Sequence, residues 1–168
     1  MYYEVLNAAA QLTSENPEVQ IYRKSKLVPG PEILPYRKVF GIFTPVIKQV
    51  QGTVEGVGTQ KERTAMRSSS GRMAPVICYE SIFGEFFTGY IRQGAQAAVI
   101  MTNDGWWDDT PGHRQHLWIG SLRAVETRRD IARAANTGIT CFINQRGDIR
   151  QATRCDEAVA ITGEVSLN

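Results

Sequence analysis

Imidazoles and thiols are scarce in this chain. Two histidines, His113 and His116, and three cysteines, Cys78, Cys141 and Cys155, are all it has, and the cysteines are odd in number and far apart. That pattern argues against a disulfide framework and against a Cys/His zinc site. Charge of one sign is lacking too. Nineteen Lys and Arg against 17 Asp and Glu leave a net charge of +2, too little to argue for nucleic acid as a partner. No stretch approaches the roughly 20 apolar residues that a membrane helix needs. The opening Met1-Tyr2-Tyr3-Glu4-Val5 has neither the basic start nor the apolar centre of a secretory signal. What remains is an ordinary globular balance of 42% hydrophobic and 21% charged residues over 168 positions, enough for one domain with a real core. No internal repeat and no linker divides it.

Residues 2 to 23 read as two strands joined by the polar turn Ser14-Glu15-Asn16-Pro17-Glu18. A domain that opens inside a hairpin, with no element before it, looks cut. Leu27 to Tyr36 is a loop stiffened by three prolines, and Val39 to Val50 reads as a short, irregular helix. Residues 51 to 72 form a long connection with a short strand near Thr59 to Ala65. Residues 74 to 78 are a buried strand. A helix follows from about Ile82 to Gln93, because Phe83, Phe86, Phe87, Tyr90 and Ile91 fall on one face, and Gly94 closes it. Gln96 to Met101 is a second buried strand, and two strands around one helix favour parallel pairing. A second helix is expected over about Gln115 to Arg133, with Trp118, Leu122 and Val125 on one side. Ile139 to Asn144 and Ala158 to Val165 read as closing strands around the turn Gln145-Arg146-Gly147-Asp148.

Cys78 carries the most chemistry. The apolar run Val76-Ile77 ends at its thiol and a helical pattern starts just after it. A cysteine near helix N-terminal N–H groups is biased toward thiolate; an isolated cysteine reads more often as a small buried hydrophobe. Lys24 precedes a stiff loop bearing Glu32. Cysteine, lysine and carboxylate together make an acyl-transfer set: thiolate attack on a carbonyl carbon, a carboxylate to carry the proton, an ammonium to stabilise the tetrahedral oxyanion. Alone, Lys24 and Glu32 would read as surface charges. Trp106 and Trp107 read either as the mouth of a lipid-facing cavity or as a plug in the core. The histidines read as holding the 102–112 loop to the following helix. Arg128, Arg129 and Arg133 read as a solvated helix face.

Four separated segments carry a resemblance. They are Tyr22-Arg23-Lys24 through Glu32, Pro75-Val76-Ile77-Cys78-Tyr79-Glu80, Thr102-Asn103-Asp104-Gly105-Trp106-Trp107, and the stretch from His113 to Gly138. In this order they resemble the nitrilase (carbon–nitrogen hydrolase) superfamily and, within it, the apolipoprotein N-acyltransferases. Gly30-Pro31-Glu32 departs from the Phe-Gly-Glu that often follows Val-Pro there. The resemblance implies an α/β fold, a nitrilase-like α-β-β-α sandwich, with residues 1–168 a partial domain lacking its N-terminal half. It implies Cys78 as nucleophile, Lys24 as the catalytic lysine, Glu32 as a second supporting glutamate, and Tyr79 and Glu80 as supporting residues after the nucleophile. The triad's first glutamate lies further upstream in the family, and neither Glu4 nor Glu18 matches it, so this chain alone is expected not to turn over. The implied reaction moves an acyl chain from a phospholipid, through a cysteine thioester, to the N-terminal cysteine amine of a diacylated lipoprotein. It needs no cofactor and no metal, and it takes place at the periplasmic side of the bacterial inner membrane. A missing half-sandwich would expose sheet surface and invite self-association. A soluble amidase of the same superfamily and a non-catalytic remnant are the alternative readings.

Overall fold

Between residues 71 and 135, apolar runs too short for helices alternate with two stretches of helical periodicity, and they fold as strand–helix–strand–helix–strand. The computed structural model describes residues 5–14, 17–29, 32–33, 58–107, 110–155 and 157–168. The helix expected over Val39–Val50 lies outside the described residues. Strands β1 (Ala8–Gln11) and β2 (Gln20–Arg23) form the expected N-terminal hairpin, in the register Ala8↔Arg23 to Gln11↔Gln20. The main sheet runs β3 (Met66–Ser68), β4 (Gly71–Ile77), β5 (Ala97–Thr102), β6 (Ile131–Ala135), β7 (Cys141–Ile143) and β8 (Ile149–Arg150), in that spatial order. Helix α1 (Gly84–Arg92) joins β4 to β5, and α2 (Gly112–Thr127) joins β5 to β6.

The three central strands are parallel, as two βαβ crossovers require, and their partners at the flanks are antiparallel. Register places the site. Ile77 stands beside Met101, and Met101 beside Ala134, so the three parallel strands end level. The segments leaving them, at Cys78, Asn103 and Asn136, therefore meet at one end of the sheet, where ligands bind in open parallel sheets.

Ala74, Val76, Ala98, Ile100, Ile131 and Ile143 from the sheet form the core with Phe86, Phe87 and Tyr90 of α1 and Leu117 and Ala124 of α2. Burying one of the phenylalanines contributes about 1.5–3 kcal/mol. Tyr90 also donates its hydroxyl to Pro75 O at 2.9 Å, which ties α1 to β4, and its ring meets Tyr22 of the hairpin edge-on at 6.1 Å. Gly94, at φ +86°, closes α1 as expected and donates its N–H to Ile91 O.

Several boundaries differ from the sequence expectation. The strand placed near Thr59–Ala65 forms instead at Met66–Ser68, folded back on β4. Helix α2 stops at Thr127, because Arg128 turns left-handed (φ 51°) and donates its N–H to Ala124 O. Arg133 is consequently in β6, not on a helix. Trp118, Leu122 and Val125 do share one side of α2, but that side is the exposed one. The packed side carries His113, His116, Gly120 and Arg123 instead, and a Cβ at Gly120 would stand 3.3 Å from Ile143. Ala158 to Val165 joins no ladder among the described residues. Ile149–Arg150 closes the hairpin with β7 in its place, and the tail is held by Ser166 N–H on Asp130 and Asn168 N–H on Gln96 O.

Among the described residues the hairpin does not extend the main sheet by backbone pairing. Gln11 and Gln20 each donate a side-chain amide to Arg67 O, at 3.0 and 2.6 Å, and the Arg67 N–H returns a bond to Gln20 Oε1 at 2.9 Å. Two glutamine side chains thus occupy the outer edge of β3.

Candidate active site

Cys78 leaves β4 with a left-handed backbone (φ 50°), a conformation that costs a non-glycine residue about 1–3 kcal/mol. It begins a five-residue 3₁₀ turn, Cys78–Ile82, and α1 starts only at Gly84. The thiol is therefore not at the N-terminus of an α-helix, which corrects the helix-dipole expectation. Two bonds hold the turn. Ser81 Oγ donates to Cys78 O at 2.9 Å, and Phe83 N–H donates to Glu80 O at 3.2 Å.

Glu80 is fully buried and fastens this turn to the hairpin. Its Oε2 accepts from Ile77 N–H at 2.9 Å. Its Oε1 accepts from the Tyr22 hydroxyl at 2.5 Å, Ser25 N–H at 2.7 Å and Lys26 N–H at 3.2 Å. Burial pushes its carboxyl above the ordinary carboxylate range, and these donors pull part of the way back. One side chain thereby fixes the spacing between the strand that ends at Cys78 and the segment that carries Lys24.

Lys24 follows β2 directly and donates its N–H to Asn7 O at 2.8 Å. Its side chain is 1% exposed, so it is not the solvated strand-end charge that a lone lysine suggests. The ammonium bonds both Glu32 oxygens at 2.8 Å. Asn7 Nδ2 and Val28 N–H hold the same carboxylate at 3.0 and 2.7 Å. Lys24, Glu32, Cys78, Tyr79, Trp106 and Trp107 all line one cavity of about 630 Å³. The tryptophans are 60% and 41% exposed, which decides between the two readings of them: they stand at the mouth, not in the core. Tyr79 packs edge-on against Phe83 at 5.2 Å. A second cavity, of about 620 Å³, lies at the other end of the parallel strands, is lined by Arg128, Arg146 and Arg150, and holds none of the expected site residues. Cys141 is buried within β7, and burial pushes its thiol up to about 11 despite the nearby Arg133, so it is no competing nucleophile.

The sequence reading missed a second polar centre, on the far side of Cys78. Asp104 is 1% exposed. Its Oδ1 accepts from His116 Nδ1 and from Thr102 Oγ1, both at 2.8 Å, and its Oδ2 pairs with Arg133. Burial pushes the Asp104 carboxyl up, but the His116 hydrogen bond and the Arg133 charge outweigh it, and the group is held below the ordinary range. His116 does tie the loop to α2, as expected of a histidine there. Among the described residues His113 makes no such bond, and its Nδ1 is buried without a partner there. Arg133, read as solvated, is 2% exposed. Neither the run Ile131-Ala132-Arg133-Ala134-Ala135 nor Ser81 carries a periodic signal that marks it.

Chemically, the cavity presents a thiol and a buried ammonium whose position is fixed by a carboxylate. An oxyanion formed when the sulfur attacks a carbonyl carbon would find its counter-charge there.

The sequence pattern described as carbon-nitrogen hydrolase matches residues 2–168. The apolipoprotein N-acyltransferase of Chlorobaculum tepidum is 37% identical over 98% of this chain and 32% of its own length. That of Geobacter metallireducens is 33% identical over 96% of this chain and 30% of its own. The chain thus spans about a third of the length of these curated relatives. Among solved structures, a cysteine-to-alanine mutant of the Nesterenkonia AN1 amidase from the nitrilase superfamily superposes with a TM-score of 0.55 at 17% identity, over 81% of this chain and 47% of that one. The same amidase carrying acrylamide on its active-site cysteine gives 0.51 at 17% identity, over 77% and 45%. At such identities the likeness concerns the fold alone: the mixed sheet with its two helices corresponds to a little under half of a nitrilase-type α/β domain.

Proposed function

The chain belongs to the carbon-nitrogen hydrolase family, and from that premise we propose that its cavity carries out the acyl transfer of the apolipoprotein N-acyltransferases, with Cys78 as nucleophile. One observation carries this reading: Lys24 and Cys78, distant in sequence, line the same cavity. The Cys78 thiolate attacks the ester carbonyl of a phospholipid. The C–S bond forms, and the Lys24 ammonium faces the oxyanion. The C–O bond then breaks, and the lysophospholipid leaves with its new hydroxyl carrying the proton that the Cys78 thiol gave up. The free α-amine of a diacylated lipoprotein's N-terminal cysteine attacks the thioester next. A C–N bond forms, the C–S bond breaks, and the thiol is regenerated. Sulfur suits both halves, because a thiolate is at once a strong nucleophile and a good leaving group.

Glu32 fixes the ammonium in this scheme, since both its oxygens are engaged by Lys24. Tyr79 forms part of the cavity wall, and Glu80 sets the distance between the two catalytic segments. Residues 1–168 act as one unit of such a domain. Trp106 and Trp107, half out of the cavity mouth, suit an apolar–polar boundary and support a site working against lipid at the periplasmic face of the inner membrane. Among the described residues no helix is long and apolar enough to cross a membrane. Leu12 and Ile21, 77% and 61% exposed on and beside the hairpin, support self-association through that surface, which sedimentation velocity measures directly.

The test is a single-turnover acylation. The purified chain is incubated with vesicles of a fluorescent-acyl phospholipid, and the adduct is mapped by mass spectrometry. A hydroxylamine-labile acyl group on Cys78, absent from Cys78→Ala, is expected. Acyl label on Cys155 alone, or ammonia release from simple amides with no acyl adduct from lipid, would count for another reading.

A further inference from the structure

We infer that Asp104, His116 and Ser81 form a buried positioning relay that holds the backbone carbonyl of Cys78 and so aims its sulfur into the cavity. The inference rests on the reading of Cys78 as nucleophile and adds residues that act on it without touching substrate.

Each link is short, and the links from Arg133 to Ser81 are buried. Arg133 and Asp104 pair with no side-chain exposure on either partner. Asp104 Oδ1 accepts from His116 Nδ1 at 2.8 Å. His116 Nε2 then stands 2.8 Å from Ser81 Oγ and 3.2 Å from Cys78 O. Ser81 Oγ is itself 2.9 Å from Cys78 O. A charged pair at one end thus connects, through two side chains, to the peptide group of the residue with the left-handed backbone.

Counting protons shows what the chain can do. Asp104, ionised beside Arg133, accepts and cannot donate, so the His116 Nδ1 carries a hydrogen. If the ring is neutral, Nε2 is an acceptor. The single Ser81 hydroxyl hydrogen then goes to His116 or to Cys78 O, never to both, and Nε2 faces Cys78 O with no hydrogen between them. If the ring is an imidazolium, Nε2–H donates toward Ser81 Oγ and Cys78 O, and the hydroxyl is free to donate to Cys78 O. All three contacts are then hydrogen bonds. The groups that face the ring are Asp104 from the loop after β5, with Arg133 of β6 behind it, and Ser81 and Cys78 from the turn; Lys24 and Glu32 line the same cavity. His116 also lines that cavity, so a charge on it would stand near the thiolate.

The relay is needed because the turn after β4 is short and strained. Nothing in a five-residue 3₁₀ turn by itself fixes the direction of its first side chain. Held at its carbonyl, the peptide after Cys78 cannot swing, and a held peptide keeps the sulfur pre-oriented for attack.

The experiment alkylates Cys78 and the exposed Cys155 in the purified chain with iodoacetamide across the thiol titration range, and follows each site by peptide mass spectrometry. Ser81→Ala removes one oxygen from the turn, and His116→Ala removes the ring. Both are expected to lower the high-pH plateau rate at Cys78 about fivefold, roughly the factor one ordinary hydrogen bond is worth. His116→Ala is also expected to shift the pH midpoint at Cys78, and Cys155 is expected to stay unchanged in both. Rates and pH profiles at Cys78 that coincide with the parent, in variants with parental circular dichroism, would overturn the relay. Ser81→Ala keeps this decisive if His116→Ala does not fold. A parental Cys78 no faster than Cys155 would instead sink the nucleophile reading, and the variant-to-parent ratio at Cys78 would still report on the relay.

Discussion

On the hairpin side of Cys78, Lys24 pairs with a Glu32 that is 16% exposed and opens onto the cavity; on the sheet side, Arg133 pairs with Asp104 and neither side chain is exposed at all. The two pairs have similar chemistry and different settings. The first is built from a loop, and its ammonium faces space that a substrate can fill. The second is built from the loop after β5 and the middle of β6 and faces only protein. A cation next to a cavity can meet a developing negative charge. A sealed ion pair contributes position, and removing one partner leaves an uncompensated charge with no route to water.

Breaking the sealed pair is expected to have the largest effect. Asp104→Ala strands Arg133 and should destabilise the chain by about 3–5 kcal/mol, read from urea denaturation. A loss no greater than that of Glu32→Ala would erase the contrast between the two sides. Next comes Gly138→Ala. A Cβ there would lie 2.9 Å from Asp104 Oδ2, on a backbone at φ +113°. About 1–3 kcal/mol is expected from the strain, and calorimetry would show it as a lower melting temperature with Lys24 and Glu32 untouched. Glu32→Gln keeps an acceptor for Lys24 and should cost only about 1 kcal/mol in denaturant, while single-turnover acylation at Cys78 falls by more than stability does. Equal proportional losses would mean that this side, too, is merely structural.

The smallest effect is a difference of sign with pH. The Asp104 carboxyl is held below its ordinary 3.8, so the stability it contributes is present above that value and is lost as pH falls. Glu80, on the hairpin side, is raised above its ordinary 4.5. Its contribution is fully present below that value and is lost as pH rises through the folded-state value. Urea midpoints measured against pH should therefore lose acid sensitivity in Asp104→Asn and lose the decline on rising pH in Glu80→Gln. Parallel curves for both variants would show that neither group is linked to folding in this way.

The hairpin side was the legible one. Lys24, Glu32 and Cys78 are residue types that announce an acyl-transfer set, and the segments around them match a family pattern. The parallel centre was legible for a different reason: two apolar runs around one amphipathic helix leave few alternatives. The sheet side was not. Arg133 follows a helical stretch without a break in composition, and the left-handed turn at Arg128 that ends α2 has no glycine to mark it. The outward stripe Trp118, Leu122 and Val125 also misled, because α2 packs through Leu117 and otherwise through small and polar residues. A buried salt bridge has no periodicity, so neither Asp104 nor Arg133 could be seen as interior from its neighbours alone.

Gln11 and Gln20 give the hairpin a consequence for the order in which the pocket comes together. Side-chain tethers let go one by one, whereas a β-ladder resists as a block. Once the Glu80 bonds and the Tyr22 packing also let go, the segment bearing Lys24 can thus peel away while β4, β5 and β6 remain zipped, and amide exchange should be faster along β1 and β2 than along those three strands. In that peeled state Cys78 keeps its strand but no longer shares a cavity with Lys24, until Gln11 and Gln20 find Arg67 and Glu80 regains Tyr22, Ser25 and Lys26.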